Sequence, residues 1–174
     1  AAALALPGEL PTAMRADALR KTGQLEYRMG DLDAGRHHLS QSRTLYVEAG
    51  EPAGEAAALN DLGTVWRLQG YPDRAHATYE RALAIRRTLG DPGPIAETLD
   101  NLGLLILHRG DTARARTLLE ESLALCTSAD LRLDIAVHSR NLGWLHIAEG
   151  DLHAAREHVQ RAGALDTEHR AHVA

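Results

Sequence analysis

Glycine recurs in this chain on a fixed period. Gly23, Gly63, Gly103 and Gly143 stand 40 residues apart, and so do Gly30, Gly70, Gly110 and Gly150. Eight of the 15 glycines in the 174 residues therefore share one period in two phases. A period of this length marks a stacked repeat, whose units bury their apolar faces only against their neighbours. Other residues keep the same spacing. Leu62, Leu102 and Leu142 precede three of the glycines, and Thr22 takes that place in the weaker first copy. Small residues recur at Gly35, Ala75, Ala115 and Ala155, and again at Ser42, Ala82, Ser122 and Ala162.

Each unit reads as two helices. Leu59, Leu62 and Trp66 fall at i, i+3 and i+7, one face of a helix. Gly70 then ends that helix, because glycine accepts the left-handed conformation at a helix end. Pro72 stands where a first-turn proline is tolerated. Ala75, Tyr79 and Ala82 carry the apolar face of the following helix, and Gly90, Asp91, Pro92, Gly93 and Pro94 separate it from the next unit. Asp111 and Asp151 are placed to cap helix N-termini. Gly63, Gly103 and Gly143 lie inside helices, where glycine costs about 1 kcal/mol relative to alanine. A recurring cost points to a recurring benefit: close helix–helix approach, with Ala75, Ala115 and Ala155 as the opposing surface. Composition agrees. Apolar residues make up 44%, aromatics only 3%, and Phe is absent, so the apolar content is dominated by Ala, Leu and Val. Ala and Leu favour helices, and an all-β fold is excluded.

The spacing resembles that of the tetratricopeptide repeat. The second unit carries that pattern as Leu59, Leu62-Gly63, Trp66, Ala75, Tyr79 and Ala82; the third as Leu99, Leu102-Gly103, Ile106, Ala115, Leu119 and Ser122. The fourth carries Ser139, Leu142-Gly143, His146, Ala155, Val159 and Ala162, and the first Leu19, Thr22-Gly23, Glu26, Gly35, Leu39 and Ser42. The period exceeds the usual 34 residues. In this it is similar to the longer repeats of kinesin light chains and of bacterial signalling ATPases and transcriptional regulators. The resemblance implies an all-α, right-handed superhelix of antiparallel helix pairs. The expected units are residues 12–51, 52–91, 92–131 and 132–174, one continuous solenoid, with 1–11 closing a preceding repeat. Ala1–Leu6 aligns in phase with Arg81–Arg86, and no polar capping helix is read at the C-terminal end, so both ends read as uncapped, and the expectation is either excision from a larger array or end-to-end association.

Charge and motif content narrow the function. The net charge is −5, with no dominant basic stripe, which argues against nucleic acid binding by phosphate neutralisation. No apolar run reaches membrane-spanning length, and the chain reads as soluble and cytoplasmic. The single cysteine, Cys126, excludes an internal disulfide. The histidines offer no set of three or four convergent ligands: His37-His38 diverge, His153 and His158 are five apart, and His169 and His172 form only a pair. Phosphate-binding loops and nucleophile elbows are absent. The expectation is a non-catalytic module with no metal and no cofactor.

The resemblance further implies that the first helix of each pair lines a concave, ligand-binding face. The residues expected there are Arg20, Lys21, Gln24, Tyr27 and Arg28; Asn60, Asp61, Thr64 and Arg67; Asp100, Asn101, Leu104, Leu107 and His108; and Arg140, Asn141, Trp144 and Ile147. One end is polar and basic, the other apolar. Asn101 and Asn141 offer amides that can hold a bound peptide backbone, or else bridge neighbouring helices. Arg20 and Arg140 suit an acidic partner, or are solvated surface residues, with Asp100 as a possible pairing group. Trp144 is either a partner anchor or packing between first helices. Trp66 and Tyr79 occupy the repeat's own core positions. The function expected is protein or peptide binding, as the recognition or scaffold part of a larger regulatory bacterial protein. Oligomerisation, or reception of a small ligand or signalling peptide, stands as the alternative.

Overall fold

The computed structural model describes the backbone of residues 10–173, and the side chains in that range apart from those of residues 133, 166 and 168–173. Ala1–Leu6 and the side chains of His169 and His172 lie outside what is described. Eight helices are found there: α1 (Thr12–Arg28), α2 (Leu32–Ala49), α3 (Pro52–Leu68), α4 (Pro72–Leu89), α5 (Pro92–His108), α6 (Thr112–Ser128), α7 (Arg132–Glu149) and α8 (Leu152–Val173). Consecutive helices pack as pairs within two compact units, which divide between Leu89 and Gly90. The fold class is the all-α helix-pair repeat read from the sequence.

Local chemistry sets the helix ends. Gly30, Gly70, Gly110 and Gly150 have φ of +95°, +79°, +86° and +82°, and a Cβ on any of them would meet nothing within 4 Å. Their role is conformational. A third phase, Gly50 (φ +69°) and Gly90 (φ +79°), continues at Asp130 with φ 51°, the one non-glycine in this conformation among the described residues. Asp111 and Asp151 accept hydrogen bonds from the backbone N–H groups of Arg114 (3.1 Å) and Ala154 (3.0 Å), the expected caps. The N–H of Ala154 is also the largest influence holding the Asp151 carboxyl below its ordinary value. Asp31 caps α2 in the same way, at 3.0 Å from the Ala34 N–H. Pro52, Pro72 and Pro92 each open a helix, where their missing N–H is no loss.

The glycines inside the helices are contact positions. A Cβ on Gly63 would stand 2.6 Å from the Tyr79 ring, and one on Gly103 2.8 Å from Leu119. On Gly23 it would meet Leu39 at 2.8 Å and the Gly35 carbonyl at 2.9 Å. The opposing surface is thus a large side chain on the partner helix, and the small residue contributes by letting its carbonyl come close: Ala115 O lies 3.5 Å and Ala155 O 3.4 Å from the added atoms at Gly103 and Gly143. In the first unit Leu39, Leu62 and Val65 form one core cluster, against which Tyr27 and Leu32 pack. In the second, Ile106, Ala115, Leu119, Leu142 and Leu145 do the same, joined by Leu104 and Leu107. Ser42 and Ser122 replace alanine at equivalent buried places. Their hydroxyls donate to the carbonyls of Ala16 (2.7 Å) and Ala96 (2.9 Å), so neither leaves an unmet polar group. Tyr79 is fully buried, while Trp66 is half-buried rather than enclosed. The Trp66 ring instead carries the guanidinium groups of Arg36 and Arg74, 5.1 and 4.9 Å from its centroid.

Candidate functional site

The residues expected on the binding face divide into two groups. In the first unit they are occupied with one another. Asp61, on α3, is almost buried and accepts hydrogen bonds from Arg20 Nη1 (3.1 Å) and Gln24 Nε2 (2.9 Å), both on α1. Burial opposes the charge on Arg20, but the Asp61 carboxylate outweighs it and the guanidinium pKa is raised. Lys21 pairs with Asp17 at 2.8 Å. The Thr64 hydroxyl lies 3.0 Å from that of Tyr79, and Arg67 also reaches this phenol. Burial is the main cause raising the Tyr79 pKa, and Thr64 and Arg67 oppose it. Tyr27 packs on the core, Asn60 is buried, and Arg28 is exposed. This region is a hydrogen-bonded brace between first helices.

In the second unit the arrangement is open. Leu104, Leu107 and His108 of α5 and Asn141 and Trp144 of α7 line a pocket of about 440 Å³. Sequence spacing accounts for part of this convergence. Leu104 and Leu107 are three apart on α5 and share one helix face, and Trp144, one residue beyond Gly143, takes on α7 the repeat position that Leu104 takes on α5. Trp144 is 59% exposed and Ile147, three residues further along α7, 46%. Trp144 therefore projects rather than packing between first helices.

Polar groups frame this apolar surface. The Asn141 side chain donates from Nδ2 to Asp100 Oδ2 at 2.6 Å. The other oxygen of Asp100 lies 3.0 Å from His138 Nδ1, and both residues are almost fully buried. Asp100 is therefore an internal support for Asn141. Its pairing groups are His138 and Asn141, not Arg140, which is exposed. With one N–H committed to Asp100, the Asn141 amide keeps a second N–H and a carbonyl oxygen to offer. Asn101 is half-buried, and the His108 Nδ1 lies 2.6 Å from the Leu104 carbonyl, which ties its ring to the helix. Sequence spacing did not reveal His138, because its partner is 38 residues away on a neighbouring repeat. Among the described residues no cluster of three metal-ligating side chains occurs, and no helix is long and apolar enough to cross a membrane.

Comparison with known proteins places this geometry in a family. The tetratricopeptide repeat family profile matches residues 14–88 and 94–168. The chain belongs to the tetratricopeptide repeat family, whose helix-pair arrays are in general non-catalytic scaffolds for protein interaction. Among solved structures it is similar in fold to BtubC (BKLC) from P. vanneervenii, with a TM-score of 0.75 and 22% identity over 94% of this chain and 67% of that one. It is also similar to a Rap protein complexed with competence and sporulation factor, with a TM-score of 0.81 and 16% identity over 93% of this chain. A putative kinesin light chain repeat protein from Podosopora anserina gives a TM-score of 0.71 and 17% identity over 92% of this chain and 78% of that one. The chain spans 46% of the length of the Rap protein. No curated protein sequence matches it.

Proposed function

We propose that the chain binds a peptide segment of a partner protein in the groove between α5 and α7. The supporting observation is the pocket in which Leu104, Leu107 and the exposed Trp144 meet the braced amide of Asn141. An apolar side chain of the ligand fills the pocket, and Asn141 holds the adjacent peptide bond. Arg140, one residue earlier on α7, supplies a cation for an acidic residue beside it. Asp100 pre-orients the amide, so less conformational freedom is lost on binding. The Arg20–Gln24–Asp61 brace of the first unit serves as a support rather than a contact. The fold shared with a Rap protein in complex with competence and sporulation factor supports a recognition role within a larger, regulatory protein. The Ala, Arg and His bias of the composition supports a bacterial source. The pocket volume also falls in the range of small-molecule sites, which makes a dissociable apolar metabolite the second reading.

Fluorescence tests the site directly. In a Trp66→Phe background Trp144 is the only indole, since the chain has two Trp. Peptides selected from a random library should blue-shift and saturate its emission. Saturable peptide binding that leaves the emission unchanged would remove this groove from the account. A native mass spectrum showing a small molecule lost on Trp144→Ala would favour the second reading.

A further inference from the structure

On the other side of α7 lies a feature that peptide binding does not use. His146 of α7 and His158 of α8 stack face to face, with ring centroids 5.2 Å apart and planes 14° from parallel. Both Nδ1 atoms are buried without a hydrogen-bond partner, and His146 as a whole is only 9% exposed. Two imidazoles in van der Waals contact tolerate one positive charge far better than two, because like charges at this separation disfavour the second protonation.

The surrounding charges decide how much of that is relieved. From α7, Glu149 Oε2 lies 3.6 Å from His146 Nδ1, but the same carboxylate is held by Arg116 of α6. Glu120 of α6 lines the adjoining pocket and pairs with Arg116 at 3.3 Å. From α8, Arg161 faces the stack and adds a like charge, while Glu157 opposes it; Asp151, in the α7–α8 turn, is also near His146. His108 of α5 lines the other pocket, with Trp144. On balance these surroundings disfavour a charge on His158. Burial is the main cause lowering the His158 pKa, followed by the charges of His146 and Arg161.

We propose that the His146–His158 stack is a pH-sensitive latch between α7 and α8: closed while the His158 ring is neutral, and released when mild acid charges it against the buried His146 ring. The sign follows from linkage. A histidine whose folded pKa lies below its unfolded value of 6.5 binds more protons when released, so its contribution is complete above about pH 6.5 and falls away as the pH drops through the folded value. Elsewhere on these helices the contact at Gly143 is with the half-exposed Val159, so separation there sacrifices less apolar burial than parting the other pairs.

Hydrogen–deuterium exchange of the full chain, corrected for the intrinsic pH dependence of exchange, tests the latch. Between pH 7.5 and 5.0, protection of α8 amides should fall, while α6 protection stays unchanged. His158→Phe, which keeps a flat ring but cannot titrate, should hold α8 protection constant over the same range. As a second measurement that needs no variant, proton NMR of the wild type should show the His158 ring titrating below the ordinary histidine value. Equal loss of protection in the wild type and His158→Phe, no loss in the wild type, or a His158 ring titrating at its ordinary value would overturn the proposal.

Discussion

A methyl group added at Gly63 would have to displace the ring of Tyr79, which is fully buried and cannot swing aside. At Gly143 the equivalent neighbour is Val159, 3.3 Å away and 51% exposed, with room to yield. Gly63→Ala should therefore destabilise the protein by about 2 kcal/mol through overpacking. Gly143→Ala should change stability by less than about 0.5 kcal/mol, because the gain in helix propensity offsets the milder crowding. Urea denaturation of the two variants checks this contrast. Cys126 supplies a second residue-scale expectation. It is fully buried, and burial, reinforced by Asp134 and Asp100, pushes its thiol up to about 11. A thiol reagent at pH 8 should label the native chain at least about 100-fold more slowly than the urea-unfolded chain, since the two-unit rise removes most of the thiolate. The stability this burial confers is complete below pH 9 and is lost as the pH climbs through about 11. The residues behind these effects were partly legible in advance. Both glycine phases and the caps at Asp111 and Asp151 stand out as spacings. The third phase does not, because Asp130 occupies one of its places and breaks the pattern.

At the scale of elements, α1 and α3 are joined by a charge almost out of water. Asp61 accepts from Arg20 and Gln24 at once, so removing it leaves the half-buried Arg20 with Tyr46 and with Asp17, the latter 3.8 Å away and partly exposed. Asp61→Ala should cost about 2–3 kcal/mol, somewhat below the range for breaking a fully buried pair. The double variant Arg20→Ala/Asp61→Ala should be no less stable than Asp61→Ala alone. A double-mutant cycle measures the coupling, expected near 1 kcal/mol or more. Full additivity would show that the brace contributes nothing. Sequence spacing placed Arg20, Gln24 and Asp61 on neighbouring helix faces but could not pair them. The pairing crosses 41 and 37 residues and depends on how far one repeat is rotated against the next, a quantity no local pattern encodes. The same limit hid His138 behind Asp100.

Across the molecule, one repeat pattern yields two different first-helix surfaces. In the first unit the expected contact residues satisfy one another, and in the second they surround an open apolar pocket. The apolar character of Leu104, Leu107, Trp144 and Ile147 could be read directly from the chain, since residues just beyond each helix-interior glycine turn to the same side. The convergence of Leu104, Leu107 and Trp144 with Asn141 on one pocket could not, because it depends on how α7 packs beside α5. The central claim is that this surface binds a peptide. The decisive measurement is the affinity of one library-selected peptide for the wild type, Trp144→Ala and Met29→Ala, the last an apolar residue 85% exposed in the first unit. The account predicts a loss of about 30-fold for Trp144→Ala, the size of a binding hot spot, and no change for Met29→Ala. Affinity unchanged by Trp144→Ala in a variant that keeps its helical circular dichroism would contradict it.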